Sequence, residues 1–115
     1  MIFAQLGKHL CNGSVTLLNG TLSLVIFTPV AAEWTDVYSI VATTDETATE
    51  TLTISDGTTT LTYYVGGTTG QNTPLVYQSS IPVRFRKGTA ITVSVNAVTA
   101  GKHIAVNIRG LTSTT

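Results

Sequence analysis

Charge is what this chain has least of. Six basic and six acidic residues make up 10% of its 115 positions and cancel to zero, where a soluble domain usually carries about 25%. A small monomer with so little charge tends to associate at neutral pH, so we expect much of its surface to be covered by other subunits. Cysteine is reduced to Cys11, which excludes an internal disulfide framework and a four-cysteine zinc site. Long apolar runs are missing too. The longest, 22–32, is broken by Ser23, Thr28 and Pro29 and is far shorter than the ~20 residues of a spanning helix. The stretch before Lys8 is too short for a secretory leader, so no membrane partner is expected. Helical periodicity with cap signals is absent throughout. Zero net charge argues against nucleic acid as a partner, since that calls for a basic domain with aromatic stacking platforms.

What is abundant is threonine, at 23 positions, whose branched Cβ favours strands. Thr51-Leu52-Thr53-Ile54 and Thr59-Thr60-Leu61-Thr62-Tyr63-Tyr64-Val65 alternate polar with apolar, the period of a strand with one wet face. Between them stands Asp56-Gly57, and Asn19-Gly20 divides two earlier runs; both dipeptides signal a two-residue type I′ hairpin turn. Strands are expected near 14–18, 21–27, 36–43, 49–55, 58–65, 75–85, 89–98 and 103–110. Ile91, Val93, Val95 and Ala97 share a face, as do Ile104, Val106 and Ile108. Ile81, Val83 and Phe85 point opposite to Arg84 and Arg86. Pro82 inside such a run marks an edge or a bulge. The expected fold is all-β: a two-sheet antiparallel β-sandwich or jelly roll of about eight strands. Residues 1–13 read as an arm or edge segment, 14–111 as one sandwich domain and 112–115 as a frayed tail. The stretch 66–73 reads as a flexible Gly-rich loop.

No residue pattern makes a catalytic, cofactor or metal site. His9 and Cys11 share a strand face but lack an orienting group and an oxyanion site. With the distant His103 they fall short of a closed metal set. The 96–103 stretch has Asn96 and His103 where a phosphate loop needs Gly and a hydroxyl, so Ala100-Gly101-Lys102 reads as a hairpin turn. The acids lack calcium-loop spacing. They all fall between Glu33 and Asp56, whereas Arg84, Arg86, Lys87, Lys102 and Arg109 fall in the last third. On different faces, the two groups would set the register of neighbouring subunits; the alternative is a handful of independent solvated charges. Trp34, Tyr63, Tyr64 and Tyr77 serve either core packing, an interface or a sugar-stacking platform.

From Phe27 to Leu111 the order of features resembles the small β-sandwich virion structural proteins of tailed bacteriophages, of the head decoration, cement, head-fibre or tail-associated types. The resemblance rests on Thr28-Pro29-Val30, Thr35-Asp36-Val37-Tyr38-Ser39-Ile40-Val41-Ala42 and the 51–57 hairpin. It continues through a Gly-rich loop and Ile81-Pro82-Val83 to Phe85-Arg86-Lys87-Gly88-Thr89-Ala90-Ile91-Thr92-Val93 and Val106-Asn107-Ile108-Arg109-Gly110-Leu111. It implies a non-enzymatic subunit, a homotrimer made in the host cytoplasm. The subunit would be carried in the virion against the major capsid protein or another virion protein, most simply as a capsid cement. The alternative is a receptor- or carbohydrate-binding module of a tail or fibre. Arg84, Arg86 and Arg109, projecting opposite to core-facing neighbours, and Trp34 are the candidate subunit or capsid interface.

Overall fold

The computed structural model describes residues 8–67 and 75–115. Eight strands follow one another: β1 (Lys8–Leu18), β2 (Ser23–Phe27), β3 (Trp34–Thr44), β4 (Thr49–Ser55), β5 (Thr60–Gly66), β6 (Leu75–Phe85), β7 (Ile91–Val95) and β8 (His103–Ser113). They form two antiparallel four-stranded sheets, ordered β1-β8-β3-β6 and β2-β7-β4-β5. Successive strands jump between sheets everywhere except at the β4–β5 hairpin, which makes this a jelly-roll sandwich. The expected all-β, two-sheet architecture of about eight strands is what the chain adopts.

The core lies between the sheets. Leu17, Ile40, Leu52, Ile54, Phe85, Ile91, Ile104 and Ile108 are all fully enclosed, each supplied by the inward half of an alternating strand. Ile91, Val93 and Val95 are buried as a set, and so are Ile104, Val106 and Ile108. Ala97 lies beyond the end of β7 and is exposed.

The turns differ from expectation in an instructive way. Leu18 and Thr21 exchange backbone hydrogen bonds of 3.1 and 2.9 Å around Asn19-Gly20. Gly20 has φ 90° while Asn19 has negative φ, so the turn is of type II rather than I′. Such a turn splays the chains it joins. β2 accordingly leaves β1 for the other sheet, and the pair share only the Leu18–Thr21 bridge. Ala100-Gly101-Lys102 likewise sits in a tight turn, with Lys102 N–H donating to Thr99 O at 2.9 Å. It connects β7 and β8 in different sheets and is not a hairpin. The β4–β5 hairpin is real but has a four-residue loop, Ser55 pairing with Thr60. The Asp56 carboxylate accepts from Thr58 N–H at 2.8 Å and Thr59 N–H at 2.7 Å, an arrangement that builds the longer loop.

β6 is an edge strand, and its ladder with β3 breaks where residues 79–82 stand against Tyr38 alone. Pro82 falls in this bulge, where its missing N–H costs nothing. The bulge also frees Ile81, expected to point with Val83 and Phe85; it is 76% exposed. β1 starts at Lys8, so residues 8–13 pair with β8 as an edge strand, while 1–7 lie outside the described residues. At the other terminus β8 runs through Ser113, and Thr112 and Ser113, expected in a frayed tail, are buried. Most of the expected Gly-rich loop, 68–73, also lies outside the described residues.

Candidate interaction surface

Alternation leaves each sheet an outer face, and the two differ sharply. On β2-β7-β4-β5 the outward positions of β4 are Thr49, Thr51, Thr53 and Ser55, and those of β7 are Thr92 and Ser94. Their hydroxyls pair across strands, Ser55 with Thr60 at 3.0 Å and Ser23 with Ser94 at 3.1 Å. No outward position of that sheet is charged. This face is mostly hydroxyl-bearing, interrupted by the exposed side chains of Tyr64 beside Thr51 and Val25 beside Thr92.

The outer face of β1-β8-β3-β6 is amphipathic. Its register sets three rows side by side: Lys8–Ser113–Trp34, Leu10–Leu111–Asp36–Arg84 and Asn12–Arg109–Ser39–Gln78. Leu10 is 71% exposed; Leu111 beside it is half-buried. Arg84 is tied in place. Its Nε and Nη2 donate to the two Asp36 carboxylate oxygens at 2.7 and 2.9 Å, Nη2 also reaches Thr115 O at 3.2 Å, and the guanidinium lies 5.2 Å from the Trp34 ring centroid. A bidentate, ring-stacked arginine is well ordered.

Gly110 shapes the middle of this face. A Cβ there would overlap the Asp36 carbonyl oxygen, so only glycine lets β3 approach β8 at the Val37–Ser39 irregularity. Beside it opens a depression of about 220 Å³, lined by Leu10, Cys11, Asn12, Arg109 and Gly110. Cys11 contributes no reactive thiol: it is 2% exposed, and burial pushes its pKa up to about 11.

The acids and bases segregated along the sequence meet largely within one subunit. Groups from the C-terminal third meet most of the acids. Asp36 holds Arg84. Asp45 accepts from His103 N–H at 2.9 Å and has His103 Nδ1 at 3.3 Å; those contacts lower its pKa. Glu46 is fully enclosed, its Oε1 accepting from Thr99 N–H at 2.7 Å and Thr99 Oγ1 at 2.8 Å. Burial alone would raise its pKa, but the Thr99 donors and the Lys102 charge bring it below the ordinary value. Asp56 is likewise desolvated and likewise lowered, by N–H groups of Arg86, Thr58 and Thr59 and the Arg86 charge. Glu50 is buried, and Glu33, also buried, lies 3.8 Å from His9. Lys8, Lys87 and Arg109 have no carboxylate partner among the described residues.

Of the four residues expected at an interface, Trp34 and Arg84 form one cluster and Arg109 stands on the same sheet face. Arg86 does not join them. β6 ends at Phe85, and Arg86 clips the sandwich end, its N–H on Asp56 Oδ2 at 2.5 Å and its Nη1 on Thr58 Oγ1 at 3.1 Å. Lys8, Leu10 and Leu111 were not singled out by sequence, because their juxtaposition depends on β1 pairing with β8 from the other end of the chain. His9 and His103 lie at opposite ends of β1, since His103 pairs with Leu18. They form no site with Cys11.

No family model matches the sequence, and no curated protein matches it either. Solved structures do share its fold. A chain of the cyanophage Pam1 capsid asymmetric unit superposes with a TM-score of 0.53 at 18% identity, over 90% of this chain and 84% of that one. The Drosophila NLP-core, described for its pentamer formation and histone binding, gives 0.54 at 12% identity over 88% and 96%. The virus-like particle of extra small virus from the giant freshwater prawn Macrobrachium rosenbergii gives 0.42 at 9% identity over 92% and 79%. At these identities the likeness is one of fold, a jelly-roll sandwich shared with a phage capsid chain and with the Drosophila NLP-core.

Proposed function

We propose that the chain is a virion structural protein of a bacteriophage, a decoration or cement subunit that acts as a homotrimer on the head. The observation that carries this reading is the pairing of one uncharged, Ser/Thr-rich face, broken only by Val25 and Tyr64, with one amphipathic face bearing Leu10, Leu111, Trp34 and Arg109. That is the anatomy of a protein that works by covering something, with one side turned to a partner and the other to water. The jelly-roll likeness to a phage capsid chain supports it. Burying apolar surface across capsid joints would oppose internal pressure mechanically, with no reacting group required. Ile81 and Val30, 76% and 67% exposed outside the regular ladders, are available for contacts between copies.

The NLP-core likeness points toward self-assembly but not toward a basic partner, because the free side chains here are themselves basic. A glycan-binding module would need an aromatic platform. Trp34 is engaged by Arg84 and Tyr64 stands among threonines, so this alternative has less to stand on. The test is co-sedimentation of the purified chain with virion particles assembled without it, alongside light scattering after size exclusion. Saturable binding by a trimer is expected. No binding to particles, with saturable binding on a glycan array, would replace this reading with the alternative.

A further inference from the structure

The exposed charge of this protein is mostly of one sign although its net charge is zero, because Asp45 is the one carboxylate that is neither buried nor paired with an arginine. All six carboxylates are inside the described residues, and each is buried or held by a neighbour in the same subunit. The cations without carboxylate partners include Lys8 and Arg109. These two bracket the Leu10–Leu111 pair on the β1-β8-β3-β6 face, with Arg109 lining the depression over Gly110 and Lys8 one row beyond Leu10. An apolar pair between unpaired cations is half of a hot spot: the apolar centre is present and the counter-charges are missing.

We propose that this patch docks an acidic segment of a different virion protein, one that places an apolar side chain in the depression and carboxylates against Arg109 and Lys8. The inference rests on the virion reading above and names the partner's chemistry. A second copy of the chain matches poorly. Its one half-exposed carboxylate, Asp45, is held by His103 at the other end of β8 from the Lys8–Ser113 pair, and the rest could be given only by breaking the Asp36–Arg84 pair or unburying Glu33, Glu46, Glu50 or Asp56. Face-to-face packing of two such patches would also set like charges against each other, which suppresses the wrong pairing. Nucleic acid fits less well. Leucines separate Lys8 from Arg109, Lys102 is at the opposite end of the sandwich, and no continuous basic track with stacking aromatics is formed.

The experiment uses the full chain with particles assembled without it, read by co-sedimentation at low and at physiological salt. Arg109→Glu is expected to weaken binding on the order of 100-fold, and Leu10→Ala about 10-fold. Thr62→Glu, an acid placed on the outer face of the opposite sheet, should bind as wild type. Wild-type binding should weaken as salt rises. Equal urea midpoints for all three variants would show that folding is intact. Wild-type binding by Arg109→Glu and Leu10→Ala would overturn the docking surface and leave the virion reading standing. Failure of the wild type itself to bind particles would overturn both. If Arg109→Glu instead dissolves an oligomer seen by light scattering, or abolishes binding to a DNA duplex, the occupant is a second copy or nucleic acid and the proposal falls.

Discussion

Removing the Asp56 carboxylate should cost this small domain a large part of its stability. Its two oxygens accept three backbone N–H groups: Thr58 at 2.8 Å and Thr59 at 2.7 Å within the β4–β5 loop, and Arg86 at 2.5 Å from the other side of the sandwich end. The residue is only 8% exposed. A hydrogen bond to a charged acceptor contributes about 1.5–3 kcal/mol net. The two in the loop share one oxygen and can regain water, so together they count for about one. Asp56→Ala should therefore lose about 3–4 kcal/mol, which at a urea m-value of about 1.4 kcal/mol/M moves the midpoint by about 2–3 M. Asp56→Asn keeps an acceptor for Thr58 and Thr59 but can set an NH₂ against the Arg86 N–H, and should lose about half as much. Trp34 fluorescence reads the transition. The acid dependence follows from the lowered pKa. The stabilisation is complete above the ordinary value of 3.8 and disappears as pH falls through the lower folded value. The gap between wild type and Asp56→Ala should thus be constant from neutrality down to weakly acidic pH and close in strong acid. An Asp56→Ala midpoint within about 0.3 M of wild type, or a gap that widens in acid, would refute the reasoning.

Two further outcomes are expected. Gly110→Ala should unfold the protein or lower its melting temperature by more than about 10 °C, because the new Cβ meets the rigid Asp36 carbonyl rather than a movable side chain; differential scanning calorimetry reads it, and a native-like melt would show that β3 can shift. Cys11, buried with its pKa pushed up to about 11, should resist a thiol reagent such as DTNB at pH 8 for hours and react within minutes in urea; fast native labelling would contradict its enclosure.

Strand identity was written plainly in the chain. Thr-Leu-Thr-Ile and Ile-Thr-Val-Ser-Val commit to a period of two whatever they pack against, and their apolar members are the ones buried. Which strands pair was not written there. Asn19-Gly20 and Asp56-Gly57 look alike in sequence, yet one sends the chain into the other sheet and the other closes a true hairpin. In both, glycine alone takes positive φ; the difference lies in the side-chain bonds of Asp56, which hold Thr58 and Thr59 in a four-residue loop and reach Arg86 across the sandwich end. The same holds for the surface. Arg109 and Trp34 could be picked out as residues opposite a core face, but Leu10 acquires its meaning only once β8 lies beside it. Arg86 looked equivalent to Arg84 by alternation, and the end of β6 one residue earlier separates them.

The position of β8 has a consequence for how the protein comes into being. It sits between β1 and β3, pairing Lys8 with Ser113 and Trp34 with Ser113. Until it is synthesised, β1 and β3 each face an empty slot, and the Ile104–Ile108 side of the core is missing. The ladder then joins residues about a hundred positions apart, a topology that folds in milliseconds to seconds rather than microseconds. Until then the nascent chain is a pair of open edges on the ribosome, and β8 acts as the latch.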